Sequence, residues 1–71
     1  MVRTPVDSRD LTAVAYDTES AVLEVEFHSG GVYQYFGVPI FVYHDLCNAA
    51  SKGKYFNEHV KRAGYPFARI G

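Results

Sequence analysis

Five of the chain's seven Lys and Arg residues, Lys52, Lys54, Lys61, Arg62 and Arg69, fall after Ala50, in the company of Ser51, Gly53 and Asn57. Cations, a hydroxyl and a small residue at a helix start are the components that hold a phosphate or carboxylate, because first-turn N–H groups lack intrahelical acceptors and the helix dipole favours an anion there. With a helix opening after Ser51, the residues Lys54, Asn57 and Lys61 recur at three- and four-residue spacing and share one face, with Arg62 beside them. Arg3 and Arg69, from opposite ends of the chain, complete this patch if the termini meet there. The string Ser51-Lys52-Gly53-Lys54 lacks the preceding strand and the glycine spacing of a phosphate loop, so a simple helix cap is its plain alternative. A second constellation is Tyr33-Gln34-Tyr35, whose rings stack nucleobases if they face solvent and pack a core if they do not. For catalysis the candidates are His28, His44, Asp45, Cys47 and His59. His44 and Cys47 stand three apart on one helix, but Cys47 falls on an apolar stripe, His59 falls on the next one, and neither has a third orienting group. The reading is therefore non-enzymatic, with no metal and no cofactor.

Charge distribution sharpens the case for an anionic ligand. The formal net charge is -1, yet residues 1–50 set Arg3 and Arg9 against seven Asp and Glu, whereas residues 51–71 set five Lys and Arg against Glu58 alone. A basic tail on an acidic body favours a short or structured polyanion over indiscriminate coating of nucleic acid. The chain has 71 residues, enough for one domain spanning 1–71. A domain of this size buries only about 60% of its unfolded surface. A single cysteine excludes an internal disulfide and no metal-finger spacing occurs, so self-association is the remaining staple, and a 15% aromatic content supplies the surface for it. No apolar run reaches the length of a membrane span or a signal peptide, which sets a reducing, cytoplasmic environment as the default.

The elements that must position these residues follow from periodicity. Ala21 to Gly37 contains two alternating runs around Ser29-Gly30-Gly31, a β-hairpin pattern. A three-residue loop with Gly31 left-handed sets His28 opposite Val32, Phe27 opposite Tyr33 and Val25 opposite Tyr35, which turns both tyrosines toward the core. Leu11 to Tyr16 precedes as a third strand, and a four-residue loop over Asp17 to Ser20 sets Tyr16 opposite Ala21, Val14 opposite Leu23 and Thr12 opposite Val25. Ala13, Ala15, Val22, Glu24, Glu26, His28, Val32, Gln34 and Phe36 then form an outer face of mixed polarity. Val2 to Asp10, with Pro5, is an irregular lead-in along a sheet edge at best. After Val38 the period becomes 3.6. Helix one opens at Pro39 with a stripe of Tyr43, Leu46, Cys47 and Ala50, and helix two runs from about Lys54 to Ala63 with Phe56, His59, Val60 and Ala63 inward. Gly64 and Pro66 stop it, and Phe67 to Ile70 is an extended tail able to pair with a sheet edge. The expected fold is α+β: a three-stranded antiparallel β-meander followed by two α-helices packed on one face.

The ordered string Arg3-x-Pro5-Val6, Tyr16-Asp17, Leu23-Glu24-Val25-x-Phe27, Tyr33-x-Tyr35, Val38-Pro39, Tyr43-x-x-Leu46, Ala50-Ser51-x-Gly53-x-Tyr55-Phe56-Asn57, Tyr65-Pro66 and Arg69-Ile70 resembles the KTSC domain along nearly the whole chain. That family takes its name from the carboxy terminus of some lysyl-tRNA synthetases and also occurs as free-standing small bacterial and phage proteins. Where this chain has Ala15-Tyr16, other members often carry Gly-Tyr. The resemblance implies RNA binding only through attachment to a tRNA enzyme. Residues and resemblance together predict a homo-oligomeric module that binds RNA or a small or cyclic nucleotide through Arg3, Tyr33, Tyr35, Ser51, Lys54, Asn57, Lys61, Arg62 and Arg69. The alternative is a protein-interaction or dimerisation module without such a ligand.

Overall fold

A computed structural model describes residues 1–71. Its elements are β1 (Thr4–Pro5), β2 (Leu11–Asp17), β3 (Val22–Phe27), β4 (Val32–Phe36), α1 (Ile40–Asn48), α2 (Lys52–Phe56) continued by a π-helical turn (Asn57–Lys61), and β5 (Phe67–Arg69). The strands form one antiparallel sheet in the order β1-β2-β3-β4-β5. The α+β class and the two helices on one face agree with expectation, but the sheet has five strands instead of three. The lead-in and the tail each add an edge strand. At two and three residues these are too short to show a period of two, and β1 contains Pro5, which only an edge tolerates. Their pairing with the meander makes them strands.

Both turns have the expected length and sit one residue away from the expected place. In the first hairpin Val25 lies opposite Tyr33 and Leu23 opposite Tyr35, with His28, Ser29 and Gly30 as the loop. Gly30, at φ 103°, takes the left-handed position expected of Gly31. Between β2 and β3 the pairs are Tyr16 with Leu23 and Val14 with Val25, and the loop is Thr18 to Ala21. Asp17 anchors that turn by accepting from the Glu19 N–H at 3.1 Å and the Ser20 hydroxyl at 2.9 Å. Moving a loop by one residue moves the pairing by two, which leaves the strand side chains from Ala13 onward on their predicted faces, whereas Thr12, expected opposite Val25, pairs with no residue of β3. A bulge between Leu11 and Ala13 turns Leu11 to the same side as Val14.

Leu11, Val14, Leu23, Val25 and Tyr35 on that side meet Val38, Val42, Leu46, Phe56 and Val60 from the helical half. Here the helix stripes need correction. Helix one begins at Ile40 with Pro39 as its extended N-cap, and Val42 and Leu46 are its buried pair, while Tyr43 and Cys47 flank them and Ala50 is exposed beyond the helix end. In the second helical segment Phe56 and Val60 point inward, but His59 and Ala63 are exposed. Gly53 does not interrupt this segment. It is buried in the first turn, where an added Cβ would collide with the Asp10 carboxylate. Gly64, at φ 85°, ends the segment as expected.

The outer face is organised by one transverse row: Ala15, Glu24, Gln34 and Ala68 are successive partners across β2 to β5. Glu24 is only 6% exposed. Its carboxylate accepts from Gln34 Nε2 at 2.8 Å and from Arg3 Nε at 2.6 Å, and Arg3 also reaches Glu26 at 3.2 Å. The small side chains of Ala13 and Ala15 leave Arg3 room to lie over β2. The Gln34 amide, and after it Arg3, hold the Glu24 carboxyl below the usual range against the opposing effect of burial.

Candidate binding groove

The lead-in loop, the first hairpin loop and the second helical segment enclose a groove in three connected parts. At one end a polar cleft of about 630 Å³ lies between Asp7 to Asp10 and the stretch Ala50 to Lys54, with Asn57, Glu58 and Arg62. A middle depression of about 340 Å³ is lined by Arg9, Asp10, Leu11, Phe27, His28, Ser29, Gly53, Phe56 and Asn57. The other end, about 510 Å³, is aromatic: Phe27, Tyr33, Tyr35, Phe56 and Phe67, joined by Ser29, Asn57 and Lys61. Asn57 lines all three parts and so stands at the junction.

Local structure explains this placement. The Ser51 hydroxyl accepts from the Lys54 N–H at 3.4 Å, the expected N-cap. The π-helical turn, closed by Arg62 N–H to the Asn57 carbonyl at 3.1 Å, sends consecutive cations to opposite ends. Lys61 faces the aromatic end and Arg62 the polar one. Because α2 runs only five residues before that turn, and Asp10 already fronts it, helix polarity is not what would hold an anion here. The side-chain cations must do so. Arg9, Lys52, Lys54 and Arg62 line the polar end against Asp7, Asp10 and Glu58.

The aromatic end is held by ring contacts. Phe56 meets Phe27 edge-on at 5.2 Å and Tyr35 at 5.4 Å, Tyr33 stacks beside Tyr35 at 6.5 Å, and Phe67 tilts against Tyr35 at 5.4 Å and Tyr33 at 6.1 Å. Tyr35 is buried and Tyr33 half-buried. Burial, and after it Tyr33, pushes the Tyr35 phenol above its usual range.

Of the expected site residues, Ser51, Lys54, Asn57 and Arg62 meet at the polar end, and Tyr33, Tyr35 and Lys61 at the aromatic end. Arg69 joins the latter, its guanidinium carbon 5.9 Å from the Tyr33 ring centre. Arg3 is not brought there. The chain ends lie on opposite sheet edges, and Arg3 is engaged with Glu24 and Glu26 on the outer face. Sequence reasoning did not single out Phe27, Phe56 and Phe67, or the lead-in residues Arg9 and Asp10. Phe67, a large apolar residue in a short basic tail, was the one available signal. His28 bonds Ser8 O and Thr12 Oγ1, each at 3.0 Å, tying the lead-in and β2 to the hairpin loop, and His44 is exposed on α1. His59 packs on Tyr55 at 4.4 Å. Cys47 is half-buried beside the core.

A small antiparallel sheet with two helical segments on one face and a groove along the second helix defines the class of this protein. The chain belongs to the KTSC domain family, which it matches over residues 7–65. It is 34% identical to a KTSC domain protein from Yersinia pestis whose crystal structure superposes with a TM-score of 0.93, covering 99% of this chain and 97% of that one. An uncharacterized protein of Stutzerimonas stutzeri is 41% identical over 70 residues, 99% of both chains. A lysine–tRNA ligase of Nostoc punctiforme is 49% identical over 47 residues, which are 66% of this chain but 8% of that ligase.

Proposed function

We propose that this chain is a non-enzymatic binding module that holds a phosphate-bearing ligand, RNA or a small nucleotide, along the groove. One observation carries this reading: the polar end with Lys54 and Arg62 and the aromatic end with Tyr33 and Lys61 share Asn57 in their linings, as does the depression between them. Phosphates favour the cations and a base favours the rings, so the two ends suit the two halves of a nucleotide. The three carboxylates of the polar end keep its field modest, which favours a ligand of few phosphates. A related segment within a lysine–tRNA ligase adds an association with a tRNA enzyme.

A thermal-shift screen of nucleotides, cyclic nucleotides and short RNAs at two salt concentrations tests the proposal, since a ligand of the folded state raises the melting temperature. The expected result is a shift that shrinks with salt and is lost in the Lys54→Glu, Arg62→Glu double variant. No shift with any ligand, or a shift indifferent to both substitutions, overturns it. A second reading, self-association or protein binding, is favoured by Ile40 and Phe41, 46% and 63% exposed on the first turn of α1 and lining no part of the groove.

A further inference from the structure

The tail strand β5 carries a phenylalanine that folding alone does not explain. All three residues of β5 are exposed, and Phe67 is 60% exposed although its ring touches both Tyr33 and Tyr35. We infer that the aromatic end of the groove is a stacking site for an unpaired base of a single-stranded nucleic acid, with Phe67 and Tyr33 as its platform and Lys61 and Arg69 meeting the adjoining phosphate. This rests on the proposed function and specifies which part of the ligand goes where.

Three features favour this occupant. The platform is backed by packed rings, because Phe56 meets Phe27 and Tyr35 edge-on, and these two in turn contact Tyr33. Little ordering entropy is then lost on binding. The charge is complementary: Lys61 lines this end, no carboxylate does, and Lys61 has no acidic partner. Arg69 donates its Nε to the Gly71 carbonyl at 2.9 Å and lies over the Tyr33 ring, which adds a second cation at this end. Among the lining residues is Asn57, whose amide both donates and accepts, as contact with a base edge requires. A base paired within a duplex cannot enter such a recess, so the ligand must present it unpaired.

The test is fluorescence anisotropy with a short labelled single-stranded RNA and an abasic strand of equal length, at low and high salt, on the wild type, Phe67→Ala and Phe67→Trp. Phe67 lies on an exposed edge, and circular dichroism is the check that each variant is folded. Stacking predicts that the wild type prefers the base-bearing strand by about 5- to 150-fold. Phe67→Ala should lower that strand to the abasic level while Phe67→Trp preserves the preference. Equal, salt-sensitive affinity for both strands would overturn the stacking site and leave the phosphate reading standing. A preference that survives Phe67→Ala removes Phe67 from the platform. No binding of either strand at any salt overturns the stacking site, and the nucleotide arms of the thermal-shift screen then decide the phosphate reading.

Discussion

Tyr33 and Tyr35 leave the same strand on the same face, yet their surroundings differ by what lies over them. Phe56 and Phe67 press on Tyr35, whereas Tyr33 stands where the second helical segment no longer covers the sheet. The first is therefore a core residue and the second borders the groove. Replacing a buried aromatic with alanine costs about 3–5 kcal/mol, a large share of the stability of so small a domain. Tyr35→Ala should accordingly abolish the cooperative urea transition or move it to very low denaturant. Tyr33→Ala should keep a clear transition. A well-folded Tyr35→Ala protein would mean that the tyrosine belongs to the binding surface after all.

At the scale of elements, the turns show where local chemistry and sheet pairing disagree. Ala21 is left-handed, at φ 56°, because its carbonyl must accept from the Val38 N–H at 3.0 Å while Val22 begins β3. A non-glycine residue there costs roughly 1 kcal/mol or more, and glycine's extra unfolded-state freedom offsets only part of the relief. Ala21→Gly is expected to raise the melting temperature, and a lower one would show that the turn carries no strain. The row of Arg3, Glu24 and Gln34 gives a pH signature. Because the Glu24 carboxyl is held below its ordinary value of 4.5, its contribution is fully present above that pH and is lost as the pH falls through the lower folded value. Acid titration of the melting temperature should thus show a steeper fall below about pH 4.5 in the wild type than in Glu24→Gln, whose side chain cannot titrate. Equal slopes would remove Glu24 from the acid response.

For the molecule as a whole, the helices cover one side of the sheet and the other is closed by its own side chains lying across it. No helix is long and apolar enough to cross a membrane. What stays exposed and apolar is Met1, Val2, Phe36, Ile40, Phe41, Phe67 and Ile70. In a chain without a disulfide, burying some of these against a second copy adds stability that the single core cannot supply. Sedimentation at micromolar concentration should show a species heavier than 8.0 kDa, and Phe41→Ser should shift it toward the monomer. A monomer throughout that range would exclude self-association as the stabilising device.

Periodicity specified the three long strands and the change to helix after Val38, and with a three-residue loop it set the inward face of Tyr33 and Tyr35, since a period of two is a local property and survives a turn displaced by one residue. Spacing also brought Lys54 and Asn57 together, and Ser51 announced its helix by capping it. Other features depended on partners distant in the chain. Thr4–Pro5 and Phe67–Arg69 became strands only by hydrogen bonding to a neighbour, and Arg3 was withdrawn from the basic patch by Glu24, which lies 21 residues away. Gly53 fell outside the helix expected from Lys54 because its sequence neighbours do not include Asp10, whose carboxylate needs the missing Cβ. The groove itself arises where two loops and the second helical segment meet, and no local pattern encodes that meeting. Its chemistry was written in residue types along the chain, but tertiary packing decided which of them share a surface.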